Sequence, residues 1–440
     1  MKLTRRVFAL LAAGLAISAH AEAATMKLSL EDALRMAHER NSSLKAAKAR
    51  IDQADAMIVQ SRQAYLPKVQ LSETFTHTND PGANLVFKLQ QEIANPMTDF
   101  APDALNHPPA ISDFNTSIQI LQPLINVDAM IGRSVANSAK KAQVFMSDRA
   151  VETIDLHIKK AYYGLILARK NVAAIEQSII IMRGYSSEAA KAYNVGILTK
   201  SDKLSTEVRL AELREQKLMM QNEMKNAEDA LRTMLKLGPD DSIIPTGDLV
   251  VDRMVPAVKS KDATANRSDL KALEAYQEVT AYQHDMAKAQ YLPRLNAFAQ
   301  QNWHDADLFG TEGSSWTVGL NMQWNIFDGM ATRGKVQEAK AKQIEARYNY
   351  EAAKEQSDME VNKARRAMAT SKERIEVSRK SLDEAKVSLD FIGEQFRTGM
   401  AMTFELLMRE QAFTWAKMRI NQAKYDYCVA KSELEYYGGK

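Results

Sequence analysis

Tyr65-Leu66-Pro67-Lys68 and Tyr291-Leu292-Pro293-Arg294 are nearly the same four residues written twice, 226 positions apart. At the same offset Ser43-Leu44-Lys45-Ala46 answers Asp269-Leu270-Lys271-Ala272. Downstream the offset falls to 201, where Gln122 and Ile125 match Gln323 and Ile326, and it settles at 203, where Tyr193-x-x-Gly196 matches Phe396-x-x-Gly399. One unit has been duplicated, and such repeats share an architecture instead of forming independent domains. The first copy carries about 25 extra residues between Asp80 and Asp113. Five of the eleven prolines fall there (Pro81, Pro96, Pro102, Pro108 and Pro109), which predicts a long exposed loop over residues 79–113.

The remaining prolines delimit the helices. None occurs between Pro123 and Pro239 or after Pro293, so nothing forbids helices of about 65 residues, each about 100 Å long at 1.5 Å per residue. The first repeat is accordingly expected over residues 22–262: a helix at 30–64, strands at 68–78 and 114–122, long helices at 128–193 and 202–236, and a linker at 237–262. The second is expected over residues 263–440, with a helix at 267–290, strands at 294–304 and 315–326, and long helices at 329–395 and 404–436. The chain is thus mainly α with a small β part.

The last strand is the clearest. Trp316, Val318, Leu320, Met322, Trp324 and Ile326 alternate with Thr317, Gly319, Asn321, Gln323 and Asn325, leaving one face apolar and the other polar. Val69, Leu71 and Phe75 alternate similarly, although Glu73 interrupts them. A soluble sheet lying on a core would show the same alternation. Trp316 and Trp324, however, are eight residues apart, about 26 Å at strand rise, close to the height of a lipid band between aromatic girdles. Four strands fall short of the roughly eight in the smallest barrel, so closure requires several chains.

The long helices carry a heptad seam. Val361, Met368, Ile375, Leu382, Leu389 and Phe396 recur every seven residues in the second copy, and Ile158, Leu165, Val172, Ile179, Ser186 and Tyr193 keep the same phase in the first. A period of 3.5 implies left-handed coiled-coil packing. Alone, the heptads favour a structural coiled coil with no transport role; the amphipathic strands with tryptophans at both ends remove that preference.

The N-terminus reads as a signal peptide over residues 1–21: Lys2, Arg5 and Arg6, an apolar run from position 7 to 17 too short to span a membrane, and Ala19-His20-Ala21 as cleavage site. The arginine pair loosely resembles a twin-arginine signal, but ordinary export is favoured. Cleavage after Ala21 lowers the basic count from 58 to 55, equal to the 55 acids, so a nucleic-acid partner is not expected. The one cysteine, Cys428, offers no intramolecular disulfide. His38, His77, His107, His157, His284 and His304 never stand at ligand spacing, and no nucleophile-elbow, P-loop or dinucleotide motif occurs. Neither a metal, a cofactor nor an enzymatic activity is expected.

The two turns between long helices invite a functional reading. Residues 193–202 and 396–405 each place Gly196 or Gly399 at a helix end, then offer Ser201 or Thr403 as candidate N-cap with Asp202 or Glu405 in the following turn. Hairpin chemistry explains those residues but not Val195, Ile197, Leu198, Met400 and Met402 on an exposed tip, which suggest docking.

The duplicated unit, the two Tyr-Leu-Pro segments and the turns Tyr-x-x-Gly and Phe-x-x-Gly resemble the TolC-like outer-membrane efflux protein family across essentially the whole mature chain. The resemblance implies a homotrimer in the outer membrane of a Gram-negative cell. Its 12-stranded β-barrel, embedded in outer-membrane lipid, continues as a periplasmic α-helical coiled-coil barrel. Such a protein is the passive exit duct of a tripartite efflux or type I secretion system, working with a periplasmic adaptor and an inner-membrane transporter. Carried over, Val195, Gly196, Ile197, Leu198, Thr199, Ser201, Thr398, Gly399, Met400, Met402 and Thr403 become the adaptor-docking tips. Asp202 and Glu405 become gate or tunnel acids, and Trp316 and Trp324 the membrane girdle. Met408 stands where members often have a second acid, Phe396 replaces a common tyrosine, and Ala401 a basic residue. The gate is therefore expected to be held mainly by packing, with asymmetry arising in the second copy. A structural envelope spacer or an exported soluble binding protein with a coiled-coil stalk remains the alternative.

Overall fold

The computed structural model describes residues 25–252 and 265–439. The expected signal peptide and the expected boundary between repeats at 262/263 lie outside them. In chain order the elements are β1 (Thr25–Leu28), α1 (Leu30–Arg40), α2 (Ser42–Ser61), β2 (Lys68–Thr78), α3 (Pro81–Gln90), α4 (Pro102–Asn106), β3 (Ile111–Ile125), α5 (Val127–Asn194), α6 (Lys200–Met234), β4 (Ser242–Pro245), α7 (Ser268–Ala289), β5 (Arg294–Asp305), β6 (Gly313–Gln323), α8 (Ala331–Arg397) and α9 (Thr403–Tyr437). The described residues divide into two compact units, one of residues 46–149 with 267–356 and the other drawn from the rest of the described chain.

The first unit holds an antiparallel sheet of order β2-β3-β5-β6. Directly paired residues share a face. Val69 and Ile120, Leu71 and Ile118, and Phe75 and Phe114 are paired on one face. Through β5, Ala299 with Val318, Ala297 with Leu320 and Leu295 with Met322 continue it. The opposite face carries Gln70, Ser72, Thr74, Ser117, Gln119, Gln300, Asn302 and Thr317. Phe298 and its partner Leu121 are apolar exceptions, and Phe298 covers Gly319, where a Cβ would meet the ring at 2.9 Å. Among the described residues β2 and β6 are edge strands with no partner on their outer sides. Pro123 is tolerated in an inner strand because β2 pairs only as far as Leu121 and a bulge follows at Pro123/Ile125.

The first strand connection is not the plain loop expected over residues 79–113. Asp80 caps α3, its Oδ1 accepting from Ala83 N at 2.8 Å, and Pro81 supplies the favoured first-turn proline. Asn84 and Gln91 are buried. The helix expected over 30–64 is also interrupted: Asn41 is extended, and its side-chain oxygen accepts from Ser43 N at 2.8 Å, so it ends one helix and starts the next.

In the second unit most heptad positions are core, although Ser186 and Leu382 are half-buried and Tyr193 is exposed. Ile158, Leu165, Val361, Met368 and Ile375 are each 0% exposed. The linker region contributes β4, which pairs in parallel with β1, a small sheet the sequence reading did not contain. Tyr162 of α5 fastens it: its hydroxyl donates to Leu28 O at 3.0 Å and accepts from Gly247 N at 3.0 Å.

Candidate functional site

The apolar sheet face is unusually exposed for a strand surface. Trp316, Val318, Leu320 and Met322 are all between 63% and 72% exposed. An apolar face this large requires cover. Trp324 lies one residue beyond β6, not inside a strand running to 326 as expected, and its indole N–H donates to Tyr291 O at 2.9 Å while the ring stays exposed. The other end of the band holds Trp303, level with Ser314, which the sequence reading missed, and the expected Phe75, whose ring lies tilted against that of Phe114 at 4.7 Å. Alternation could not reveal Trp303 because Gln301 breaks the apolar pattern of β5; the register does. Glu73, also on this face, accepts a hydrogen bond from the Thr116 hydroxyl across the strand pair, which offsets part of the cost of an acid among apolar neighbours.

The helical tips lie in the second unit and are built alike. At the first, Gly196 has φ +80, its N–H donates to Tyr193 O at 3.0 Å, and Ile197 N donates to Ala192 O at 2.9 Å. At the second, Gly399 has φ +75, its N–H donates to Phe396 O at 3.1 Å, and Met400 N donates to Gln395 O at 2.8 Å. Both are Schellman ends, which need a residue free to adopt positive φ.

The caps differ from the expectation. The N-caps are Thr199 and Met402, not Ser201 and Thr403. Thr199 forms a full capping box: its hydroxyl accepts from Asp202 N at 3.2 Å and donates to Asp202 Oδ2 at 2.6 Å, while Asp202 also accepts from Thr199 N at 3.2 Å. The Thr199 hydroxyl, and secondarily that of Thr403, holds the Asp202 carboxyl below its ordinary range. Met402 has no capping oxygen, so Glu405 alone reaches back to Met402 N at 3.4 Å. The Thr403 hydroxyl, one place late, is buried without a hydrogen-bond partner of good geometry.

Val195, Ile197, Met400, Met402 and Phe404 are each 67% to 75% exposed. Leu198 is not part of that surface; it packs against the buried cluster of Met182, Ala189, Leu406 and Phe413. Ser201, Thr199 and Thr398 are exposed, whereas Thr403 is buried.

Packing does not hold the helices above the tips alone. Phe396 meets Tyr185 edge to face at 6.3 Å, and a Cβ on Gly393 would overlap the Tyr185 hydroxyl. Beside them Arg397 of α8 donates to Glu188 of α5 at 3.0 Å, and Glu188 is the main reason its guanidinium pKa is raised. An ion pair therefore bridges the two helices although Ala401 offers none. Deeper still, Arg209 Nε donates to Glu410 Oε2 at 2.8 Å, Thr414 donates to Glu410 Oε1 at 2.6 Å, and Ser178 lies 2.5 Å from Thr414. Glu410 is 0% and Arg209 7% exposed. This network joins α5, α6 and α9. Its signal was a charge at apolar phase, Arg209 between Thr206 and Leu213 and Glu410 between Leu406 and Phe413.

No group of three or more His, Cys, Asp or Glu that could hold a metal occurs among the described residues. The model of the outer membrane efflux protein family matches residues 33–235 and 260–439. The alkaline protease secretion protein AprF of Pseudomonas aeruginosa is 22% identical over 338 residues, 74% of this chain and 69% of that protein. The outer membrane protein TolC of Vibrio cholerae is 19% identical over 92% of this chain and 89% of its own length. The solved outer membrane protein VceC of Vibrio cholerae superposes with a TM-score of 0.78 at 17% identity, covering 93% of this chain and 96% of that one. With the family model spanning most of its length, this chain belongs to the outer membrane efflux protein family.

Proposed function

We propose that three copies of this chain close a 12-stranded barrel in the outer membrane and form the passive exit duct of a tripartite export system. The observation that carries this reading is the four-stranded sheet with one apolar face, one polar face and two open edges. The apolar face suits lipid, the polar face a water-filled lumen, and the edges β2 and β6 can pair only with further strands. An inner-membrane transporter supplies energy, and this protein performs no covalent chemistry.

The exposed tip residues Val195, Ile197, Met400 and Met402 support docking of a periplasmic adaptor. Glu405 is the better candidate for a tunnel-facing acid, because it is exposed and only weakly engaged in capping, whereas Asp202 is committed to the capping box. Opening corresponds to the tip helices shifting between two packings, a population that adaptor binding biases. A polypeptide cargo is the second reading, favoured by the similarity to the protease secretion protein AprF.

Gly196→Trp and Gly399→Trp test the docking step. Each forces a side chain into positive φ at a cost of about 1–2 kcal/mol at a tip where little else packs. Export from cells should be lost while the trimer still assembles. Normal export by both variants would remove the docking proposal.

A further inference from the structure

The strand connection of the first copy is the largest departure from the repeat, and barrel closure makes no use of it. In the second copy β5 and β6 are joined by residues 306–312 alone, closed by Asp305, whose carboxylate accepts from Asp307 N at 3.0 Å and Glu312 N at 3.1 Å. A strand pair of this sheet therefore needs no helix to turn around. The first copy nevertheless builds α3, and it does so on the polar face.

Two anchors fix that placement. Gly313 alternates in phase with Ser315 and Thr317 on the polar face, and a Cβ added there would overlap the carbonyl oxygen of Gln90, the last residue of α3. The next residue, Gln91, donates through Nε2 to Asp113 Oδ1 at 2.9 Å and Ser112 O at 2.8 Å, and the other Asp113 oxygen lies 3.0 Å from His304 Nδ1. Asp113 and His304 belong to the same polar face, and Gln91, Asp113 and His304 are all buried. On its free side α3 leaves Val86 47% and Leu89 52% exposed.

We propose that α3 is a constriction inside the outer mouth of the pore, so that the first copy's connection limits the size of solute that leaves. The inference rests on the channel reading, which makes the polar face lumenal. The opposite ends of the strands lead into the long helices, so the connections mark the exterior end. One α3 per protomer, presenting Val86 and Leu89, would narrow and partly dewet that mouth.

The test uses the full trimer in planar bilayers. Leu89→Cys is treated from the exterior side with a charged methanethiosulfonate. The native Cys428 does not compete, because it is buried and its thiol is pushed up to about 11. Labelling should lower the current in steps to about half or less, and replacing residues 79–110 with a copy of 306–312 should raise conductance about twofold and admit larger polymers. An unchanged current on protein shown by mass to be modified would overturn the proposal, even if the replacement variant fails to assemble. An unchanged polymer cut-off in an assembled replacement trimer would overturn it equally. Absence of conductance in the unsubstituted protein would instead overturn the channel reading, and this inference with it.

Discussion

Removing Arg209 should harm this protein more than removing Glu410, although the two form one ion pair. Glu410 is fully buried, and among the described residues its carboxylate is matched by Arg209 at 2.8 Å and the Thr414 hydroxyl at 2.6 Å. Arg209→Leu leaves that charge with one neutral donor, at the upper end of the about 3–5 kcal/mol typical of a broken buried pair. Glu410→Leu leaves the guanidinium bound to Glu212 at 3.1 Å, whose side chain is 53% exposed, so the cost should fall near the lower end, about 3 kcal/mol. Arg209→Leu with Glu410→Leu removes both charges from an apolar seam and should be close to neutral, giving a coupling of about 3 kcal/mol or more. Because a large oligomer unfolds irreversibly, the assay is the rate of trimer unfolding at fixed temperature for the four proteins. Equal rates for the two single variants, or a double variant as damaged as their sum, would refute the reasoning.

Leu320→Arg, on the exposed apolar face and four residues from Trp316, should destabilise the membrane-inserted state by about 2–4 kcal/mol, measured by refolding into lipid vesicles. Gly393→Ala should push the Tyr185 ring off Phe396 and loosen the helices above the tips, raising hydrogen exchange around residues 393–399 while the barrel stays protected. Asp202 has a lowered folded pKa, so its stabilisation of the first tip is complete above the unfolded value of about 3.9 and is lost as the pH falls through the folded value. Exchange at the amides of residues 200–203, corrected for intrinsic rates, should therefore accelerate below about pH 4.

The elements readable from sequence were those with a long period. Heptads at 158, 165, 361, 368 and 375 mark residues that are now fully buried, and strict alternation in β6 marks its two faces. Features without such a period escaped. The β1 and β4 pair joins two strands of four residues across more than 200 positions, so neither carries a pattern of its own. Helix α3 was hidden by reading prolines as loop formers, although Asp80-Pro81 is also a helix start. The caps were placed by hydroxyl preference at Ser201 and Thr403, but the Schellman turns leave fewer residues before the next helix, which puts Thr199 and Met402 there. The Arg209–Glu410 network needed partners from three helices, which no single stretch displays. The two tips do differ, and the second is the more weakly capped; restoring a hydroxyl with Met402→Ser offers about 1 kcal/mol of helix stability there.

The central claim is that four strands per chain are one share of a common pore. Its most direct test is to insert the purified, detergent-extracted protein into planar bilayers after measuring its mass. A particle of three chains that conducts in discrete steps is expected. A verified insertion that carries no current, or a soluble monomer that needs no detergent, would contradict it.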